Sequence, residues 1–380
     1  MTVIKQAYKI AVRDLRSCYS KHGILTGLDH FTDYWARDSM YACLGALELG
    51  EKKDLEHVKK NLVLLADKQS KNGQIPFRVG TRLIFLKMLG IKNNNSLGAR
   101  YRQDKSLSKP TDPNPLFIIV AQKYIEKTQD RFFIKKYFKS ITLAMQWSIS
   151  LAGKDGLIQE AVYSTWADTM RKKGRVLYTN VLYYASLKAF VEICKGMKVK
   201  YKRYDVLSEN VNTTLNKEFW FKEHYVDWVN TREYTNFASG GNLFAIVFGI
   251  ADKTKAVAIL DYTDTNSINS PVPSKAHFPA YRDSEISLLN RFLGMGNYHN
   301  RWHWLWVGCM NAVANQKISR KVKAKEILGD VARIIVRDKV CHEVHTEKGT
   351  PLNLGRRFRS EAPYAWTAGF FVYAYHQIIK

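Results

Sequence analysis

The feature that most constrains this chain is an amphipathic helical pattern that recurs from one end to the other. Thirteen segments carry apolar residues at i, i+3, i+4 and i+7, as in Leu55, Val58, Leu62 and Leu65. They are 3–18, 38–48, 54–68, 116–127, 134–151, 178–194, 204–219, 242–248, 252–260, 284–292, 298–315, 319–337 and 362–379. Strand-like alternation is scarce and confined to short pieces such as 223–229. Loops rich in Gly, Pro and Asn separate the helices at 71–78, 92–115, 261–279 and 345–359. Two of these, 92–115 and 261–279, are long for a helical protein, and such loops tend to wall binding sites. No low-complexity linker divides the chain, and no fixed-period repeat shows in the letters. What repeats is the helix–loop–helix unit, which predicts an all-α toroid of paired helices forming one domain over 1–380.

The hydrophobic fraction of 46% supports a large core and excludes wholesale disorder. The formal charge of +25 points toward polyanions, yet Lys and Arg are spread along the chain. Short clusters such as Arg171-Lys172-Lys173 read as solvated basic surface, and no zinc-finger, RNA-recognition or helix-turn-helix pattern accompanies them. Salt-sensitive, non-specific polyanion binding is expected, and no specific nucleic acid partner. Cys18, Cys43, Cys194, Cys309 and Cys341 are isolated and odd in number, which argues against a disulfide framework or structural zinc. The first sixteen residues lack a secretory apolar stretch, and no run approaches eighteen apolar residues. The expectation is a cytoplasmic protein without a membrane partner; nothing in the sequence sets an oligomeric state.

Phosphate-loop, H-E-x-x-H and G-x-S-x-G signatures are absent. Ser239-Gly240-Gly241-Asn242 reads as a tight turn opening a helix rather than an anion site. Five loops instead place carboxylates among aromatic rings, Arg and His. They are Tyr34-Trp35-Ala36-Arg37-Asp38-Ser39, Gly73 to Arg78, and Ser164 to Met170 with Tyr178-Thr179-Asn180 following. The others are Gly294 to Asn300 leading into Trp302-His303-Trp304-Leu305-Trp306, and His342 to Gly349 followed by Ser360 to Gly369. Singly, each reads as a cap or a packed ring. Together they supply paired carboxylic acids, flat platforms and polar groups for hydroxyls, the inventory that glycosidic cleavage needs.

These motifs resemble the (α/α)6-barrel glycoside hydrolases, in particular the amylo-α-1,6-glucosidase (glycogen-debranching) relatives and the neutral/alkaline invertases. The likeness runs from Tyr34 to Tyr375. Y-W-A-R-D-S at 34–39 resembles the first sugar-binding loop, and G-Q-I-P-F-R at 73–78 is similar to the I-P-x-R turn. W-A-D at 166–168 with the following Y-T-N resembles the segment of the general acid, implying that Asp168 is the proton donor. H-E-V-H-T-E-K-G-T-P at 342–351 resembles the stretch of the catalytic base, implying Glu343; Glu361 is its main rival and Glu347 a weaker one. The resemblance implies an inverting α-glucosidase with an α-glucoside or oligosaccharide substrate, and neither cofactor nor metal. Trp35, Arg37, Asp38, Arg78, Trp166, Tyr178, Asn180, His299, Asn300, Trp302, Glu361 and Trp366 would line the sugar site.

Packing against Trp166 is expected to raise the pKa of Asp168, while Glu343 stays ionised with help from His342, His345 or Arg357. Val344 and His345 stand where invertases carry aromatics, and Arg301-Trp302-His303-Trp304 replaces their Gly-Gly-Ser-Trp-Pro; both departures weigh against sucrose. The alternatives are a sucrose-cleaving invertase, a toroid that binds carbohydrate without cleaving it, and a basic helical protein that binds nucleic acid.

Overall fold

The computed structural model describes residues 2–80, 97–103, 106–230, 233–355 and 357–380. Among these are thirteen α-helices. They are α1 (Val3–Ser17), α2 (Ala36–Leu49), α3 (Lys52–Asp67), α4 (Pro113–Thr128), α5 (Arg131–Ser150), α6 (Leu177–Gly196) and α7 (Lys202–Glu218). The rest are α8 (Ser239–Val247), α9 (Lys253–Thr265), α10 (Leu288–Phe292), α11 (Leu305–Lys317), α12 (Lys321–Asp338) and α13 (Ala365–Ile378). Six of them, α2, α4, α6, α8, α11 and α13, touch in that order, and α13 closes the ring on α2. Each of α3, α5, α7, α9 and α12 packs outside the ring and joins consecutive inner helices, while α1 leads into α2 and packs outside the ring against α12 and α13. The chain is an (α/α)6 toroid, as the repeating helix–loop–helix pattern predicts.

Burial separates the two rings. On outer α7 the buried positions are Tyr204, Ser208, Val211 and Leu215, a single stripe at helical spacing. On inner α13, eleven of fourteen residues are buried, and on α2 also eleven of fourteen. A helix enclosed on all sides needs small residues where backbones meet. A Cβ on Gly45 would lie 2.2 Å from the Gly369 carbonyl oxygen, so α2 and α13 meet backbone to backbone. Gly240 and Gly241 serve likewise: a Cβ would meet the Trp306 ring at 3.1 Å and Leu177 at 2.8 Å.

Because outer helices return the chain, all inner helices run the same way and start at one end of the barrel. Short strands feed those starts. β1 (Tyr19–Ser20) and β2 (Gly23–Ile24) form a tight hairpin after α1. β3 (Tyr34–Trp35) pairs antiparallel with β4 (Arg78–Gly80), which pairs with β5 (Gly98–Arg100). A second sheet holds β6 (Arg175–Val176), β7 (Trp220–Phe221), β8 (His224–Val229), β9 (Glu233–Ala238) and β10 (His277–Phe278). In it β8 pairs with β6, β7 and β9, placing a strand where alternation is visible at 223–229. β9 pairs in turn with β10.

Boundaries depart from the helical pattern in three places. The segment 298–315 is helical only from Leu305; Trp302 to Trp304 are not, and His303 bridges antiparallel to His345. Of 284–292, only Leu288–Phe292 is α-helical, after a 3-10 turn at Asp283–Glu285. The loop expected at 261–279 begins after Thr265. From the long loop at 92–115, positions 92–96 and 104–105 lie outside the described residues. All five cysteines are buried and free. Among the described residues, no helix is long and apolar enough to cross a membrane.

Asparagine clamps recur at the inner-helix starts. Asn180 on α6 accepts from Ile158 N at 2.7 Å and donates to the Ile158 and Val176 carbonyls. Asn242 on α8 does the same with Tyr225 and Ala238, and Asn114 on α4 with Ile75, Gly73 and Ala144. Asn180 is therefore a fully buried tether, not the hydroxyl ligand the sequence suggests. Asn180→Ala should cost roughly 2–3 kcal/mol in urea unfolding, because buried backbone groups lose their partners. KM of the surviving fraction should stay within about twofold; a sugar ligand would raise KM instead.

Candidate active site

At the end where the inner helices begin lies a cavity of about 330 Å³. Its wall includes Trp35, Arg37 and Asp38 at the start of α2, and Trp166, Asp168 and Thr169 before α6. Tyr298, His299 and Trp304 precede α11, while Glu343, Tyr364 and Trp366 come from the last inner helix and the loop before it. Eight residues expected at the site thus meet there: Asp168, Glu343, Trp35, Arg37, Asp38, Trp166, His299 and Trp366.

Tyr298 and His299 stand between the two principal carboxylates. The Tyr298 hydroxyl donates to Glu343 Oε1, and His299 Nδ1 lies 3.9 Å from Asp168 Oδ1 and 3.0 Å from the Thr169 hydroxyl. Gln103 Nε2 approaches Asp168 Oδ2 at 3.5 Å. The Asp168 side chain is 29% exposed. Glu343, by contrast, is buried, and its carboxyl is pushed up to about 8. Burial is the main cause; the hydroxyl of Tyr298 opposes it, and the neighbouring Asp38 and Glu361 carboxylates add to the rise. The ionised Glu343 expected from sequence is corrected accordingly, and of its three expected helpers His345 is engaged elsewhere, its Nε2 2.8 Å from Asp338. Asp38 takes a hydrogen bond from the Tyr364 hydroxyl at 2.5 Å and is itself raised to about 6 by burial, despite Arg37 alongside.

Arg37 lines the cavity but is engaged in a two-point pair with Asp112, its Nε 2.5 Å from Oδ2. Trp166 is almost wholly enclosed by rings; Trp306 lies 5.0 Å away, His299 5.1 Å and Trp304 5.5 Å. It forms the cavity floor, not a free platform. Trp35 is the more open ring, held edge-on by Phe31 and Phe77.

Five further expectations fall behind the wall. Arg78 is buried, pairs with Asp33 at 3.4 Å and lies over the Trp35 ring, so it supports that ring from outside the cavity. Tyr178 is core, its hydroxyl 2.7 Å from that of Tyr41. Asn300 clamps both backbone groups of Tyr281, and Trp302 lies outside the lining. Glu361 is fully buried and accepts from the backbone N–H groups of Asp29, His30 and Phe31 at 2.7–3.1 Å. A Cβ on Gly27 would sit 2.3 Å from that carboxylate, so the loop fits over Glu361 only with glycine. As an anchor saturated with donors, Glu361 is not placed to act as a base. Glu347 is exposed and outside the cavity.

Sequence reading misses the two tyrosines that hold the carboxylates, Tyr298 and Tyr364, though both sit inside motifs it singles out. It also takes Lys172 for surface. Lys172 is buried, its Nζ 2.5 Å from Asp227 Oδ2 and 2.8 Å from His277 Nε2. His277 Nδ1 donates to the His299 carbonyl at 2.5 Å, which ties the Asp168 loop to the His299 loop. Among the described residues, no group of three or more His, Cys, Asp or Glu side chains converges as a metal-ligand set.

A six-hairpin toroid with Asp168 and Glu343 on the wall of one cavity is an architecture suited to a glycoside hydrolase. Residues 19–342 match the model of the glycosyl hydrolase 94 superfamily, catalytic domain, and the chain belongs to that superfamily. The match includes Asp168 and stops one residue before Glu343. No curated protein matches by sequence.

Among solved structures, a GH63 mannosylglycerate hydrolase from Thermus thermophilus in complex with glucose has a TM-score of 0.73 at 13% identity, covering 97% of this chain and 99% of that one. A rhamnosidase from Klebsiella oxytoca has a TM-score of 0.71 at 10% identity, over 97% of this chain and 63% of the other. A single-substitution variant of a further glycosidase, in complex with glucose, has a TM-score of 0.68 at 11% identity, covering 99% and 97%. At these identities the likeness is one of fold. The class expected from the motifs is thus found, through glycosidase families other than the debranching and invertase groups.

The buried acid makes a prediction about stability. A carboxyl whose folded pKa lies above its unfolded value contributes stability below the unfolded value and loses it as pH rises through the folded one. Glu343→Gln removes that loss. Its melting temperature should match wild type near pH 5 and exceed it increasingly up to pH 9; a constant offset would contradict the raised pKa.

Proposed function

We propose that the protein hydrolyses an α-glucosidic bond with inversion, Asp168 acting as proton donor and Glu343 as the base that activates water. The observation that carries this reading is the meeting of both acids on one cavity wall, although 175 positions separate them. Inversion needs the two carboxyls roughly 6.5–9.5 Å apart, leaving room for water beside the sugar. Asp168, the more open of the two, faces the side where a leaving group departs. Glu343, seated deep beside Tyr298 and Asp38, is where a water would be held against the anomeric carbon.

A carboxyl with pKa near 8 is a stronger base than an ordinary one once ionised, which suits proton abstraction near neutral pH. The cavity is at the small end of ligand pockets, roughly 300–1,000 Å³, which favours a short α-glucoside over a polymer. Glucose in two of the structural neighbours supports the choice of sugar. Asp38 and Trp35 are the polar and aromatic contacts of the bound ring, and residues 1–380 act as a single catalytic domain.

A panel of isomaltose, panose, maltose and sucrose, scored for free glucose, separates the debranching-type reading from the invertase reading. Asp168→Asn and Glu343→Gln should each lower turnover by about 10³-fold or more with folding intact, since general acid–base catalysis contributes about 10²–10⁴-fold. NMR of the first product should show the inverted anomer. Retention would overturn the water-activating role of Glu343. Because the acid must keep its proton while the base sheds its own, kcat/KM should be bell-shaped in pH with one of its limbs near pH 8 from Glu343; a profile with no limb there would contradict the raised value.

A further inference from the structure

Ten large apolar side chains are exposed among the described residues, and six are on segments that contribute to the cavity lining, three of them in the short helix α10. Leu28 is between Thr26 and Phe31, and Leu107 follows Gln103. Leu288, Leu289, Phe292 and Leu293 surround the lining residues Asn290 and Met295, with Phe292 84% exposed. The other four, Phe132, Val199, Val206 and Val322, lie at or before the starts of outer helices, at the opposite end of the barrel.

The rim is continuous. His30 packs on Phe358 at 5.3 Å, and Leu354 stands 3.5 Å from the Cβ position of Gly294. The backbone of Ser287 bonds to Thr169, and Gln103 reaches Asp168. A monomer gains nothing by presenting a phenylalanine and several leucines to water around the opening of its own active site; such patches mark binding surfaces.

The same loops carry exposed arginines: Arg102, Arg291, Arg301, Arg357 and Arg359. Among the described residues of 26–31, 98–108, 283–301 and 354–359 the exposed carboxylates are Asp29, 3.9 Å from Arg359, and Asp283, 3.3 Å from Arg291, so arginine outnumbers acid and Arg102, Arg301 and Arg357 carry the excess. Apolar side chains flanked by arginines match a surface that is apolar within and negative at its face. A second copy of the chain would bring arginine against arginine in a molecule already at +25. A nucleic acid would use the charge and leave Leu288 and Phe292 without partners.

We propose that the mouth of this cavity docks on an anionic lipid surface, and that the sugar it takes is the headgroup of an amphiphile held there. The second half rests on the hydrolase reading above; the first does not. The peripheral contact differs from the sequence expectation of no membrane partner.

The full chain is sedimented with vesicles of phosphatidylcholine alone and of phosphatidylcholine with about 30% phosphatidylglycerol, without substrate, so failure of docking is separable from failure of catalysis. Wild type should pellet with the anionic vesicles and much less with the neutral ones, and 0.5 M salt should weaken binding. Leu288→Ser combined with Phe292→Ser should reduce the bound fraction about tenfold while melting temperature and turnover of a soluble glucoside stay unchanged. Arg357→Glu should reduce binding alone. Equal binding of the serine variant and wild type, or no binding to anionic vesicles, would overturn the proposal. So would a concentration-dependent dimer in sedimentation velocity that the serine variant abolishes, since that assigns the rim to a second copy.

Discussion

Everything at the working end of this molecule follows from holding carboxyls in the wall of one cavity, Glu343 and Asp38 buried and Asp168 partly open. The six inner helices start at the cavity's end of the barrel, and the first turns of α2 and α13 reach its wall, so their dipoles favour negative charge there. Burial works in the other direction and disfavours the charge. Tyr298 and Tyr364 mediate between the two, each donating a hydroxyl to one buried acid. The result at Glu343 is a carboxyl that burial pushes up to about 8, held by a tyrosine instead of an arginine. A guanidinium at that point would have fixed the charge and lowered its basicity. Arg37, the cation on the cavity wall, is engaged with Asp112.

The toroid is legible because helical periodicity is a property of whole segments. An outer helix shows one apolar stripe, as in Tyr204, Ser208, Val211 and Leu215, while an inner helix such as 365–378 is apolar on nearly all sides. That contrast survives without knowledge of any partner. The segment before α11 misleads for the same reason: Tyr298 to Trp304 has the aromatic content of a buried helix, but its backbone is irregular and Tyr298, His299 and Trp304 line the cavity from it.

Site residues are legible as types and less so as roles. Asp168 and Glu343 stand out by their motifs, but a motif cannot say which polar neighbour faces inward. Asn180 and Asn300 fit a list of hydroxyl ligands, yet each satisfies backbone groups of an adjacent loop. Asn114, Asn180 and Asn242, each within the first four positions of an inner helix, form a structural repeat that is present in the letters and visible only once the helix starts are known. Lys172 reads with its basic neighbours as surface because charge runs usually are; only the fold brings Asp227 and His277 to it. The loops are thus built twice over, with one set of polar groups holding backbone and a second, smaller set facing the sugar.

The account stands on Glu343 delivering a nucleophile from the face opposite Asp168. Chemical rescue tests it directly. Glu343→Ala, given an activated α-glucosyl substrate and azide, should regain activity and yield the β-glucosyl azide, because the small anion fills the place of the activated water. No rescue of that variant, or rescue giving the α-azide, would contradict the assignment of Glu343 as the water-activating base.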